Sequence, residues 1–350
     1  MRLVLWVVLA CTIGLLIALD SLVVRAAIFP DTCFYKLARA LPKEVDILII
    51  GSSRMRRGVD PDQLAHQLGI SNLRVVNFGH GGSTPDADYL ILDDLLRTRT
   101  ISLILVEANI EHKLDARTLV GFSSYAVTRY FIQFASFRQL LAIPFFQSDQ
   151  PIALRLYDTI SLSSAKIESE LRAMRSGRVQ RLLWSKVNRH SDLADRQNIC
   201  WHHRFDDPPP GPLADKRVRA LGRHRAAFYE EHADWLDEGF FEPVLFTNRQ
   251  RRAQVDFMRR TVALAQDHGS RIAFVNIRRY FIWPPGPEFL REFDERVGAP
   301  LFVPDKQWLQ TIQQDGYHDA SHLAASGRTA YTTWLAEQLT SNGLWPGNGH

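Results

Sequence analysis

Short, unbroken apolar runs alternate along this chain with longer segments that repeat apolar residues every three or four positions. An apolar run of a few residues, bounded by turn-forming residues, is typical of a strand buried on both faces. The longer segments have the period of amphipathic helices. Strands are predicted at residues 45–50, 73–78, 101–106, 271–277 and 301–303, and helices at 61–68, 86–97, 248–268, 287–297 and 324–340. Strands that alternate with helices build βαβ units, so we predict an α/β fold with a parallel sheet.

The first predicted strand stops at Gly51, and two serines follow it. Glycine lets the backbone turn sharply and lifts Ser52 or Ser53 to the carboxyl edge of the sheet, where open α/β folds bind their ligands. The same turn has a simpler interpretation, in which a serine only caps the next helix. Taken alone, this stretch leaves both interpretations open.

The N-terminus carries the apolar segment 3–19, which follows Arg2 and precedes Asp20. Its length lies between that of a cleavable signal core and that of a full membrane span. We predict an uncleaved transmembrane signal anchor over residues 1–25, followed by a connector over 26–44. Arg2 favours a cytoplasmic N-terminus, which would place the rest of the protein outside the cytoplasm, in the periplasm or at the cell surface. Cleavage near Ala26 or Ala27 is the alternative.

Composition narrows the class of protein without identifying a partner. A chain of 350 residues, 46% of them hydrophobic, can bury a large core and is neither disordered nor fibrous. Its net charge of +4 is mildly basic, but the sequence contains no nucleic-acid-binding motif, so we do not predict a nucleic-acid partner. Cys33 and Cys200 could pair in an oxidising compartment, and the sequence does not decide whether they do.

Residues 110–241 interrupt the alternation of strands and helices. We interpret them as a long, mostly helical insertion within a domain that spans 45–340, with a loose tail at 341–350. The insertion is rich in aromatic residues and arginine. Basic runs of this kind usually form a solvated helix face, and the alternative is that they bind membrane headgroups or an anionic glycan.

Polar residues that suit acyl-transfer chemistry follow several of the predicted strands. Such a site needs a nucleophile, a base, a group that orients the base, and donors for the oxyanion. Ser53 supplies a hydroxyl, His322 could accept its proton, and Asp319 could orient the imidazole from one helical turn away. The backbone N–H groups of Ser53 and Gly82 and the side-chain amide of Asn109 are the candidate oxyanion donors.

Four sequence blocks, in order along the chain, carry a resemblance to a known family. They are Gly51-Ser52-Ser53, Asn77-Phe78-Gly79-His80-Gly81-Gly82, Val106-Glu107-Ala108-Asn109 and Asp319-Ala320-Ser321-His322. With them the chain resembles the SGNH (GDSL-like) hydrolases over residues 45–109 and 271–339. The resemblance implies a three-layer α/β/α, flavodoxin-like fold and a serine enzyme that acts on ester bonds without a cofactor or a metal.

The resemblance also implies a role for each matched residue. Ser53 would be the nucleophile, and His322 with Asp319 would activate it. Gly82 and Asn109 would complete the oxyanion hole together with the N–H of Ser53 itself.

The chain departs from the family pattern at two places. Ser52 stands where the family often has aspartate, and the third block has Glu107 and Ile110 around Asn109 in place of the usual G-x-N-D. The second departure lies next to Asn109, the residue assigned to the oxyanion hole.

Two other arrangements use the residues near His322. Asp315 and His318 repeat the D-x-x-H spacing and could replace Asp319 and His322. His318 and His322 also have the i, i+4 spacing of a zinc-binding helix, but no third ligand is evident in the sequence and zinc leaves the two serines unexplained. We expect the later pair to act because His322-Leu323 leads directly into the last predicted helix, as it does in the family that the chain resembles, and we expect no metal.

An N-terminal anchor, an exported domain and a Gly-Ser-Ser turn are similar to the family branch that acylates cell-envelope polymers. Its members resemble alginate O-acetylation proteins and the teichoic-acid D-alanylation protein, which work beside a multi-span membrane-bound O-acyltransferase. The resemblance implies an anchored O-acyl(acetyl)transferase that acts on a cell-envelope or exported polysaccharide. The sequence determines neither the acyl group nor the particular acceptor. The alternatives are an anchored esterase or deacetylase of the same fold, and a catalytically silent glycan-binding or scaffold protein.

Overall fold

The computed structural model describes residues 11–12, 14–15, 40–79, 83, 85–108, 249–278, 284–312, 316–318 and 321–346. The chain divides into two compact units. One comprises Met1–Leu41 and Val120–Cys200, and its described residues 11–12 and 14–15 are helical. The other comprises Pro42–Leu119 and Trp201–His350 and contains the sheet, so it is the unit that carries the candidate site.

Strands and helices alternate in this second unit, as the sequence predicts. In chain order they are β1 (Glu44–Ile50), α1 (Ser53–Gly58), α2 (Pro61–Leu68), β2 (Val75–Asn77), α3 (Pro85–Leu96), β3 (Thr100–Glu107), α4 (Arg249–Asp267), β4 (Arg271–Val275), α5 (Pro287–Val297), β5 (Leu301–Phe302), α6 (Lys306–Thr311) and α7 (Ala325–Ser341). The predicted α/β class is confirmed.

The five strands form one parallel sheet in the order β2-β1-β3-β4-β5. The order reverses between β1 and β3, and ligands of open α/β sheets bind beyond the carboxyl ends of the strands at such a reversal. Ile49 of β1 pairs with Leu105 of β3 on one side and with Asn77 of β2 on the other. The segments that leave β1, β2 and β3 therefore begin side by side at one edge.

Helices cover both faces of the sheet because neighbouring strand residues point to opposite sides. Ile47 and Ile49 belong to a core cluster that also contains residues of α2 and α7, such as Leu64 and Leu335. On the other face α5 packs on β4, and α4 lies against α3 and α5. The contact on that side is aromatic, with the ring centroids of Phe274 and Phe293 5.4 Å apart. The sheet is thus the middle of three layers.

The capping residues of α2 predict both of its ends correctly. The Asp60 carboxylate accepts hydrogen bonds from the N–H groups of Asp62 and Gln63, and Pro61 occupies the first helical position of α2. Gly69 ends the helix in the left-handed conformation with φ of 67°. Start and stop residues of α2 were therefore both readable from the sequence.

Other elements differ from the prediction. β2 starts two residues later than predicted because Asn72–Arg74 form a 3-10 turn, closed by a 2.8 Å hydrogen bond from Arg74 N–H to the Ser71 carbonyl. β4 ends at Val275 although the apolar run continues to Ile277. The six-residue helices α1 and α6 were not predicted, since they are too short to show a helical period.

Three predictions fall largely or wholly on residues outside the described ranges. These are the signal anchor over 1–25, the insertion over 110–241 and the pairing of Cys33 with Cys200. In the ranges that the structure does describe, no helix is both long enough and apolar enough to span a bilayer.

Candidate active site

The turn after β1 is sharp and has no room for a side chain at its first residue. Gly51 has φ of 153°, and a Cβ there would lie 2.5 Å from the Glu107 Cβ and 2.6 Å from the Met55 Cγ. Glycine is required for both reasons, since side chains rarely adopt this backbone conformation and the space is already filled. The chain then enters α1 at Ser53 without an intervening loop.

The two serines of the turn have different contacts. Ser52 is the N-cap of α1, and its hydroxyl accepts a hydrogen bond of 3.2 Å from the Arg54 N–H. Ser53 directs its hydroxyl away from this cap, and its Oγ lies 2.9 Å from Nε2 of His322. Both members of this contact are half-buried. A serine hydroxyl within hydrogen-bond distance of an imidazole is the pairing that proton abstraction from serine requires.

His322 is placed by a small closed loop between α6 and α7. Tyr317 and Leu323 form an antiparallel bridge, and the His318 N–H donates a 2.8 Å hydrogen bond to the His322 carbonyl. The Tyr317 hydroxyl donates at 3.0 Å to the backbone carbonyl of Arg278, which follows β4. The loop is therefore tied both to itself and to the edge of the sheet.

The backbones of this loop and of α7 touch directly. A Cβ on Gly327 would collide with the backbone of Gly316, and the Ala324 N–H donates at 2.9 Å to the Gly316 carbonyl. Two glycines thus let the start of α7 lie against the loop that carries His322.

Glu107, the last residue of β3, contacts the turn that follows β1 and carries the two serines, which we call the serine turn. Its Oε2 accepts a 2.5 Å hydrogen bond from the Ser52 N–H, and its Oε1 lies 2.7 Å from Nε of Arg54. The Arg54–Glu107 contact is an ion-pair contact at short distance whose angle is not that of a hydrogen bond. The two side chains are only 4% and 3% exposed.

Asn77, at the end of β2, holds α1 from the other side. Its side-chain amide donates hydrogen bonds of 2.9 Å to the carbonyls of Met55 and Val59, and its Oδ1 accepts one from the Gly79 N–H at 2.9 Å. Asn77 is fully buried, so these bonds satisfy both ends of the amide. The first residue of the N-x-G-x-x-G block therefore supports the serine turn through α1.

The segment leading to Asn109 is held by the end of β4. The Ala108 N–H donates to the Val275 carbonyl at 2.8 Å, and the Ala108 carbonyl accepts from the side-chain amide of Asn276 at 2.5 Å. Asn276 is completely buried. Sequence analysis gave Asn276 no role, although an asparagine in an apolar run at a strand end is a signal that could have indicated one.

A second carboxyl group lies close to Glu107. Asp88 is buried in the first turn of α3, and the Ser83 hydroxyl donates a hydrogen bond to it. Burial raises the pKa of the Asp88 carboxyl well above its usual range, the hydrogen bond from Ser83 lowers it, and the nearby carboxylates of Glu107 and Asp86 raise it further. Ser83 directly follows Gly82, so α3 fixes the chain next to one predicted oxyanion donor.

The structure describes two of the five predicted site residues and brings them together. Asp319, Gly82 and Asn109 lie outside the described residues. So does Asp315 of the alternative pair, whereas the Ser53 hydroxyl contacts His322 and the His318 backbone N–H donates within the loop. Across the described ranges, no group of three or more histidine, cysteine, aspartate or glutamate side chains is arranged to hold a metal ion.

Sequence analysis noted Glu107 only as a departure from a family pattern and gave Arg54 no role. A charged residue at the end of an apolar strand was the available signal for Glu107. Its partner could not be read from the sequence, because the pair forms only once β1 and β3 lie side by side.

No protein-family model matches the chain, and no curated protein matches it in sequence.

Proposed function

We propose that this protein is an SGNH-type serine enzyme of acyl-ester chemistry, with Ser53 as nucleophile and His322 as general base. The observation that carries the proposal is the 2.9 Å contact between Ser53 Oγ and His322 Nε2 at the carboxyl edge of a parallel sheet. The two residues are 269 positions apart in the chain, so this contact is not a by-product of local structure.

The proposed reaction has two halves. His322 Nε2 accepts the Ser53 proton as Ser53 Oγ attacks the ester carbonyl carbon, and the imidazolium then gives that proton to the departing alcohol. An acyl ester on Ser53 remains. A second hydroxyl compound, activated by His322 in the same way, takes the acyl group and restores the serine. Asp319 would stabilise the imidazolium, and the N–H of Ser53 with Gly82 and Asn109 would stabilise the oxyanion.

The acceptor that we propose is a carbohydrate hydroxyl of an exported or cell-envelope polysaccharide. The support is the aromatic and arginine-rich insertion, whose residue types suit sugar stacking and anionic polymers, and the apolar N-terminal segment, which suits an enzyme working beside a membrane-bound acyl donor system. In this proposal the domain lies outside the cytoplasm, and a multi-span membrane-bound O-acyltransferase is the expected partner.

Labelling with a fluorophosphonate probe tests the nucleophile. We expect stoichiometric labelling that Ser53→Ala abolishes, that His322→Gln slows by a factor of about 10²–10⁴, and that the adjacent Ser52→Ala retains. His318→Gln is the matched histidine control. Full labelling of Ser53→Ala would rule the assignment out.

An activated acetyl ester, supplied with and without oligosaccharide, tests the transfer step. We expect acetylated sugar to form at the expense of free acetate. Rapid acetate release that no acceptor changes would leave an esterase, and an unreactive wild-type protein would favour the glycan-binding or scaffold alternative.

A further inference from the structure

The buried ion pair of Arg54 and Glu107 lies next to Ser53 and has no part in the proposed chemistry. A buried pair of this kind is not needed for stability, because well-packed apolar residues can replace it at little cost or with a gain. Stability therefore does not account for the position of this pair at the serine turn.

One carboxylate holds the residues on both sides of Ser53. Its Oε2 takes the backbone N–H of Ser52, and its Oε1 faces Nε of Arg54. The Arg54 guanidinium also reaches the Ile277 carbonyl beyond β4, with 3.4 Å between NH1 and the oxygen. Residues 52 and 54 are thus fixed to the ends of two strands, and the residue between them has little freedom left.

The carbonyl and the hydroxyl of Ser52 also accept hydrogen bonds within the turn. The Ser52 carbonyl accepts from the Arg56 N–H at 3.1 Å, and the Ser52 hydroxyl accepts from the Arg54 N–H. Within the described part of the chain, the Ser53 N–H donates to no acceptor. The contacts of Ser52 and Arg54 therefore hold the turn, while the hydroxyl of Ser53 faces His322.

We propose that Glu107 is a positioning residue, which clamps Ser52 and Arg54 so that the Ser53 hydroxyl stays directed at His322. This inference rests on the proposed role of Ser53. Glu107 contacts neither the serine hydroxyl nor the imidazole, and it acts through the residues on either side of Ser53. Gly51 is part of the same device, since any Cβ there would occupy the space of the Glu107 side chain.

Replacement of Glu107 by glutamine is a sharp test because both partners of the carboxylate are donors. The amide has the same size, but its nitrogen must face either the Ser52 N–H or the Arg54 guanidinium, so one arm of the clamp is lost. Since a displacement of about 1 Å at a reacting group can cost on the order of 100-fold in rate, we expect the maximal labelling rate of Ser53 to fall by one to two orders of magnitude. The probe concentration for half-maximal rate should stay unchanged.

Glu107→Asp covers the case in which the glutamine variant does not fold. It keeps the charge beside Arg54 but is one methylene shorter, so it cannot reach both partners, and the maximal labelling rate should fall while the protein stays folded by circular dichroism. Asp46→Asn is the matched control. It removes the ion pair of Asp46 and Arg74, which has the same length of 2.7 Å and lies at the opposite end of β1. We expect this variant to leave labelling unchanged.

Crystal structures of the folded variants give a readout independent of activity, and the distance from Ser53 Oγ to His322 Nε2 should lengthen or become variable. Wild-type labelling rates in both folded Glu107 variants would overturn the positioning role and leave the nucleophile intact. A wild-type protein that never labels would overturn the proposed function, and the positioning role with it.

Discussion

Two ion pairs of the same length lie at opposite ends of β1, and their surroundings differ. At the amino end, Arg74 lies 2.7 Å from Asp46 with 42% of its side chain exposed. At the carboxyl end, Arg54 lies 2.7 Å from Glu107 with almost none of either side chain exposed. Charge at the amino end stays in contact with water, whereas charge at the carboxyl end is enclosed.

Neutral polar residues are also buried at the carboxyl edge. Asn77 and Asn276 are completely buried where β2 and β4 end, and each bonds to backbone groups of the segments leaving the strands. Enclosing polar groups costs free energy unless every one is bonded. The hydrogen bonds of these two side chains offset that cost at the edge that holds Ser53 and His322.

The largest expected difference is in stability. Arg54→Met leaves the Glu107 carboxylate buried without its cation, and we expect the free energy of unfolding to fall by about 3–5 kcal/mol. Asp46→Asn removes the exposed counterpart and should cost no more than about 1 kcal/mol. Urea unfolding followed by circular dichroism measures both. Equal losses would mean that the two ends of β1 do not differ in the way described.

Gly327→Ala tests whether backbone contact fixes the His322 loop. Alanine favours helix, but its Cβ would collide with Gly316, so the loop must move and we expect a loss of about 1–3 kcal/mol together with slower Ser53 labelling. Thr329→Ala, exposed in the same helix, is the control and should be neutral or slightly stabilising. Thermal unfolding and labelling rates measure the two effects. A stabilised Gly327→Ala variant would show that the loop tolerates displacement.

The smallest effect is a dependence on pH. Because burial raises the pKa of Asp88, the folded protein holds that proton to a higher pH than the unfolded chain does. The stabilising contribution of the protonated carboxyl is full below the unfolded value of 3.8 and is lost as pH rises through the folded pKa. Asp88→Asn should remove this decline in thermal stability above pH 4.

Asp46 gives the comparison for the amino end. Burial also raises its pKa, Arg74 opposes the change, and Glu44 adds to it. Asp46→Asn should therefore alter the same pH profile less than Asp88→Asn does. A profile that Asp88→Asn leaves unchanged would contradict the assignment of the decline to Asp88.

The sequence was most informative where one local signal determines the outcome. Short, mostly apolar runs located all five strands, and Asp60 with Gly69 located both ends of α2. The pairing of Ser53 with His322 followed from a resemblance of spaced blocks, and the structure brings the two side chains together. The roles of Asp319, Gly82 and Asn109 stay predictions.

The support of the site was not predictable in the same way. Glu107, Asn77 and Asn276 each bond to groups on a neighbouring element, so their roles depend on strand order and register. The short helix α1 is set by the turn at Gly51 and by the side chains that hold it, since six residues carry no periodic pattern.

The separation of Ser53 and His322 along the chain has a consequence for biosynthesis. A ribosome adding about 5–20 residues per second needs roughly 10–50 s to extend the chain over the 269 positions from Ser53 to His322. Throughout that time the growing polypeptide contains the serine without the histidine. The pair forms only after His322 has been made, so in the proposed function a polypeptide that ends before His322 lacks the base needed to react with an ester.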